Sequence, residues 1–207
     1  MTVVALLATV AFAGDPSTPH PHRLLPAITK KPAALKLTAS EKATVERNEP
    51  IVRSQRNDDG GSGQAVQYIN APADVVWNVI LDYPKYPARV DSVVSCQVYR
   101  RQGDRLFVDM KSSIMGFKTV IYSNNDLHRE DGWMAWTLDY GRTSDVKDLT
   151  GYWRVEQIRD SPPLTRVDHA SNLAMTGVPG FVVSYLTKQS LIDGTAWVKE
   201  TSEKLAR

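Results

Sequence analysis

The sequence predicts an α+β domain in which a curved antiparallel sheet of about seven strands wraps round one long C-terminal helix. Three observations lead there. Short turn signals such as Gln102-Gly103-Asp104 and Glu130-Asp131-Gly132 separate successive β-rich runs, and connections that short make neighbouring strands antiparallel. The helical patterns fall before and after the meander rather than between its strands, which segregates helices from sheet. Residues 177–205 are long and apolar enough to be the core helix: Val178, Val182, Tyr185, Gln189, Ile192 and Ala196 recur at steps of four and three. Phe181, Val183, Leu186, Leu191, Val198 and Leu205 widen that face, and a helix apolar over most of its girth is buried on more than one side. Gly177 and Pro179 open it, since a first-turn N–H has no partner for proline to remove. Gly194 marks a bend, a close approach to the backbone, or a surface glycine costing about 1 kcal/mol relative to alanine.

The 207 residues hold one domain plus appendages. Its compact part, residues 64–207, buries about two-thirds of its unfolded surface without a metal or disulfide staple. The single cysteine, Cys96, excludes an intrachain disulfide and a thiolate cage. Flanked by Val94 and Val98, it reads as a buried structural thiol. A net charge of +2 with scattered basic residues argues against a nucleic-acid partner. Residues 1–13 are apolar and end in Ala11-Phe12-Ala13, like the apolar region and small-x-small cleavage site of a secretory signal, although a basic n-region is missing. The expected mature chain starts at Gly14 and works in a periplasm or outside the cell. The segment is too short to span a bilayer.

Residues 14–37 hold five of the twelve prolines and two of the four histidines, and read as a linker. His20 and His22 lack the further ligands a metal requires. In residues 38–63, Thr38-Ala39-Ser40-Glu41 matches a capping box for a short helix over 39–47, which Pro50 stops. Residues 51–54 are a candidate short strand. Asp58-Asp59-Gly60-Gly61-Ser62-Gly63 reads as a flexible turn, lacking the lysine and following helix of a nucleotide loop. Residues 65–70 predict a strand, and Ala71-Pro72 opens a helix with Asp74 in its first turn and Val75, Val76, Val79 and Ile80 facing the core. Tyr83-Pro84-Lys85-Tyr86-Pro87 ends it, with room for a second short helix near 87–90. Six strands follow over 93–101, 105–113, 117–129, 132–140, 152–159 and 164–175.

Alternation along these strands sorts inward from outward side chains. Inward-facing Gln157, His169 and Ser171, with Gln189 on the helix, accompany many aromatics. A sealed core rarely holds so many polar groups, because each unpaired one costs about 1–3 kcal/mol. An apolar concavity with a few convergent polar groups is the form of a small-molecule site; mutual pairing of these groups, or a strand register shifted by one residue, is the alternative. The expected ligand contacts are Leu106, Val108, Met110, Trp136, Leu138, Tyr140, Trp153, Val167, His169 and Leu173 from strands, with Val182, Tyr185, Leu186 and Gln189 from the helix. There is no nucleophile elbow, zinc-type spacing or dinucleotide loop, and no metal or cofactor is expected. If the domain is an enzyme, His169 and Asp139 are its acid–base candidates, with Tyr140 and Arg142 in reach.

The run from Tyr68 through Ile69-Asn70-Ala71-Pro72 and Val76-Trp77 to Asp82-Tyr83-Pro84-Lys85-Tyr86 resembles the opening of a START-like domain of the SRPBCC superfamily, in its polyketide cyclase and coenzyme Q-binding branch. Gly177-Val178-Pro179 before the last helix agrees, and the resemblance covers residues 64–207. It implies the helix-grip fold, whose long helix crosses the concave face of the sheet and leaves a hydrophobic tunnel. Members bind lipids, quinones, sterols and polyketides or catalyse cyclisation, and no universal catalytic residue can be placed. The resemblance therefore implies binding or transport of a hydrophobic small molecule or lipid, with transient membrane contact and no stable protein partner. A cyclase- or hydrolase-like enzyme and an interaction module with a vestigial cavity are the alternatives. Met115-Gly116-Phe117 and residues 176–180 are expected to hinge. The exported, proline-rich extension departs from the family pattern and argues against a cytoplasmic or mitochondrial quinone role.

Overall fold

The computed structural model describes residues 13–57, 59–114, 116–175 and 190–207. They form α1 (Ala39–Glu46), β1 (Ile51–Asn57), β2 (Gly60–Ile69), α2 (Ala73–Ile80) and a 3-10 turn (Tyr83–Ala88). Then come β3 (Val93–Gln102), β4 (Arg105–Ile114), β5 (Phe117–His128), β6 (Trp133–Leu138), β7 (Asp148–Asp160), β8 (Pro163–Ala174) and α3 (Ser190–Leu205). The strands make one antiparallel sheet in the order β1-β2-β8-β7-β6-β5-β4-β3. The expected helix and sheet layers are there, with one strand more than about seven. The signal-like residues 1–12 and the first half of the expected long helix, 177–189, lie outside the described residues.

The extra strand is β1, which runs on to Asn57 and is joined to β2 by a hairpin. The glycine run taken for a flexible turn is the first part of β2, paired with β1 on one side and β8 on the other. Gly60 has φ +146°, and a Cβ there would overlap the Leu173 carbonyl oxygen. The ladder approaches too closely for any side chain, and glycine supplies the backbone angle.

α1 has both bonds of its capping box: Thr38 N–H donates to Glu41 Oε2 at 2.8 Å and Glu41 N–H to Thr38 Oγ1 at 3.3 Å. Arg53 of β1 holds the Glu41 carboxylate at 2.6 Å, and this charged hydrogen bond keeps the Glu41 carboxyl down at about 2. α2 starts after Pro72, which offers no capping oxygen. Gln157 of β7 accepts the Ala73 N–H at 2.7 Å in its place, so Gln157 serves a helix end rather than the interior.

The core lies between α2, α3 and the middle of the sheet, where Ile69, Val76, Val79, Ile80, Val167 and Val198 are buried around Trp77 and Trp153. Each fully buried aliphatic side chain there contributes about 1.5–3 kcal/mol relative to exposure. Over residues 195–205 of α3 the buried positions are Thr195, Trp197, Val198 and Ser202, while Leu205 is 63% exposed. The helix is tied down through Lys199, which donates to Tyr68 O at 2.8 Å and Asn48 Oδ1 at 2.6 Å, and through Glu203, which accepts the Asn70 N–H at 3.0 Å. Leu205 lies beyond that last tie and cannot join the core face expected of it.

The proline-rich segment does not hang free as its composition suggests. It crosses the outer face of the sheet as a strap. Asp145 accepts the N–H of Ala13 and that of Val120 at 2.7 Å. The His20 ring receives the Ser144 N–H at 3.2 Å and donates to Lys147 O at 2.9 Å. Asp148, with no exposed surface, accepts from Leu24 N at 2.5 Å, Leu25 N at 2.7 Å, Leu149 N at 2.8 Å and Tyr140 OH at 2.9 Å. Asp168, equally buried, accepts from Leu35 N at 2.8 Å and Arg166 at 2.7 Å. Ile28 packs on Trp133, Ala135, Tyr152 and Ala170. A proline-rich segment cannot build its own ladder. Carboxylates projecting from β7 and β8 provide the acceptors instead.

Candidate functional site

Strand pairing lays out the inner face of the sheet in rows. One row is Ala65, His169, Trp153 and Met134; the next is Gly63, Ser171, Gly151 and Trp136; a third is Gly61, Leu173 and Leu149. The middle row is low. Gly63 raises no side chain, and the Trp136 ring lies across Gly151 so closely that a Cβ there would overlap it. Above this floor is a cavity of about 260 Å³, just below the range of about 300–1,000 Å³ for small-molecule pockets. β4 and β5 supply one wall, including Val108, Met110, Ile121 and Asn125; Tyr83 and Tyr86 come from the 3-10 turn and Trp197 from α3. Gly61 and Leu173 also wall an outer groove beside Leu24 and Leu25 of the strap, so the partition between interior and surface is thin there.

Of the strand residues expected to touch a ligand, Val108, Met110, Trp136, Trp153, His169 and Leu173 line the cavity. The others do not. Leu106 packs with Tyr83, Val93 and Cys96, Leu138 with Ile121, Val146 and Met175, and Val167 with the α2 core. Tyr140 turns to the strap, its hydroxyl on Asp148 and the Arg23 guanidinium 4.2 Å over its ring. Val182, Tyr185, Leu186 and Gln189 lie outside the described residues, as do Met115 and residues 176–180 of the expected hinges.

His169 packs against Trp153 at 4.2 Å and Trp136 at 5.5 Å between ring centroids. Burial lowers its imidazole to about 3, so the ring is neutral at physiological pH, and its Nδ1 has no hydrogen-bond partner among the described residues. Asp139 is elsewhere, accepting from Tyr99 OH at 2.6 Å and Gly141 N at 3.1 Å, with Arg100 at 3.5 Å and Arg142 at 4.0 Å. The expected gathering of Asp139, Tyr140, Arg142 and His169 does not form. Asp139 and Tyr140 follow the end of β6, where the chain turns away from the cavity, and each is already engaged. A histidine without a carboxylate partner and neutral down to about pH 3 is a weak proton acceptor. Cys96 also lines the cavity; burial pushes its thiol up to about 12, which leaves it protonated and unreactive. Among the described lining residues none is Asp, Glu, Lys or Arg, and among the described residues no three potential ligands converge on a metal site.

Sequence reasoning missed the inner face of β5 (Thr119, Ile121, Ser123 and Asn125), the two tyrosines of the 3-10 turn, and Gly61 and Gly63. The first was readable from alternation alone. The glycines were readable as two inward positions leading into a strand, once that strand is started at Gly60.

Residues 69–182 match the family model described as polyketide cyclase/dehydrase and lipid transport. The protein TTHA0849 of Thermus thermophilus superposes with a TM-score of 0.61 at 19% identity, over 70% of this chain and 99% of that one. The Zhui aromatase/cyclase of Streptomyces sp. R1128 gives 0.58 at 15% identity, over 76% and 97%. A START superfamily protein of Mycobacterium smegmatis gives 0.58 at 15%, over 70% and 98%. No curated protein matches the sequence. At such identities the likeness to solved structures speaks for the fold. The family match itself covers more than half of the chain; this protein therefore belongs to the polyketide cyclase/dehydrase and lipid transport family, as a START-like, helix-grip domain of the SRPBCC superfamily.

Proposed function

We propose that this protein binds a hydrophobic small molecule or lipid between the sheet and its C-terminal helix, as a carrier rather than an enzyme. The observation behind this reading is the low glycine floor, which leaves a hollow lined mainly by apolar and aromatic side chains and, among the described residues, by no charged ones. Burial would drive binding at about 25 cal/mol per Å² of apolar surface. The description of the family, which includes lipid transport, supports it. The test is mass spectrometry of organic extracts of the full chain purified without denaturation. A hydrophobic compound recovered in proportion to protein is the expected result; an extract no richer than buffer contradicts it.

The likeness of the fold to an aromatase/cyclase and the presence of His169 in the cavity support a second reading, cyclisation. Turnover of a cyclisation substrate that is lost in a folded His169→Ala variant would favour it. An interior filled by its own side chains would instead favour an interaction module. We also propose export, on the strength of Ala11-Phe12-Ala13. Intact mass of protein recovered outside the cytoplasm should correspond to a chain starting at Gly14, and a mass retaining residue 1 would contradict it.

A further inference from the structure

Asn125 is already committed, its Nδ2 donating to Leu106 O at 3.1 Å and Ser123 Oγ at 2.9 Å. Ser171 stands between Gly63 and Gly151 in the low row, and His169 lies two residues back on the same strand and face. The enclosed Nδ1 of His169 has no acceptor among the described residues. A proton there would be an unpaired buried donor, which costs more than an unused lone pair. The neutral ring therefore carries its proton on Nε2, and the burial that keeps the ring neutral also penalises any anion brought beside it. His169 thus offers the cavity one N–H donor flanked by the indoles of Trp153 and Trp136, with no cation among the described lining residues.

We propose that the occupant is an uncharged, ring-bearing molecule whose carbonyl or other acceptor oxygen takes the His169 Nε2 hydrogen while its ring lies against Trp136 and Trp153, and that carboxylates are refused. This selectivity rests on the cavity-binding reading above. Three compounds separate the two: 2-acetylnaphthalene, 2-ethylnaphthalene and 2-naphthoate share a ring and differ in acceptor and charge. In equilibrium dialysis against the full chain, the ketone should bind about tenfold tighter than the ethyl compound. It should bind roughly a hundredfold tighter than the carboxylate, whose charge would lie unpaired. His169→Leu should bring the ketone to the ethyl compound's affinity, whereas His169→Gln, which keeps a side-chain N–H, should retain most of the preference. If His169→Leu does not fold, as judged by circular dichroism, the wild-type ratio and the glutamine variant decide. Equal binding of ketone and ethyl compound, tightest binding of naphthoate, or a preference surviving in folded His169→Leu would overturn this selectivity while leaving cavity binding intact. Failure of all three compounds to bind would overturn both.

Discussion

The imidazole of His169 takes a proton near pH 6.5 when free and only near 3 in the folded chain. Between those values the unfolded state binds more protons, so stability falls as pH drops from 6.5 towards 3, by up to about 1.4 kcal/mol per unit. Urea unfolding at pH 7 and pH 4.5 should show wild type losing about 2 kcal/mol more than His169→Gln; equal losses would mean that the ring is not desolvated as described. Asp148 is the other residue where one side chain decides much. It satisfies three backbone N–H groups and a tyrosine hydroxyl with no exposed surface of its own. Asp148→Ala should cost about 3 kcal/mol by leaving those donors unpaired, and Asp148→Asn, which keeps one acceptor oxygen, about half of that. The check is a urea midpoint that moves at constant m-value.

At the scale of elements, β2 is the strand on which the cavity depends. Gly63→Val puts a side chain over the low row, and valine suits a strand better than glycine. Binding of 2-acetylnaphthalene should be lost while the melting temperature holds or rises; binding that persists would mean that Gly63 does not floor the cavity. Gly151→Ala should displace Trp136 and destabilise by about 1–3 kcal/mol. These are also the positions at which sequence reasoning lost its footing. β3 to β6 and β8 fall close to their expected ends because alternation and turn residues are local signals. β7 starts at Asp148 rather than 152, since Asp148 and Thr150 are polar yet buried, and nothing in their own strand says what buries them. Likewise Trp136, Trp153 and His169 could be placed inward from periodicity alone. Whether the space between them was filled depended on glycines in neighbouring strands, which no single strand's pattern contains.

For the whole molecule, the strap is the feature that composition could not foresee, because its partners, Asp148 and Asp168, come from strands more than a hundred residues away. Around Ile28 it buries the outer face of β6, β7 and β8, which would otherwise be solvated. The amides of Leu24, Leu25 and Leu35 should exchange with solvent as slowly as the flanking strands do; fast exchange would return the segment to the status of a linker. With the strap on the outer face of β6 to β8, the inner face is left to hold a guest. The most direct measurement is mass spectrometry of organic extracts from natively purified wild type and Gly63→Val, compared per mole of protein. A neutral hydrophobic compound at roughly one molecule per chain in wild type, and depleted in the variant, is the predicted result. No compound in either extract, or equal amounts in both, would contradict it.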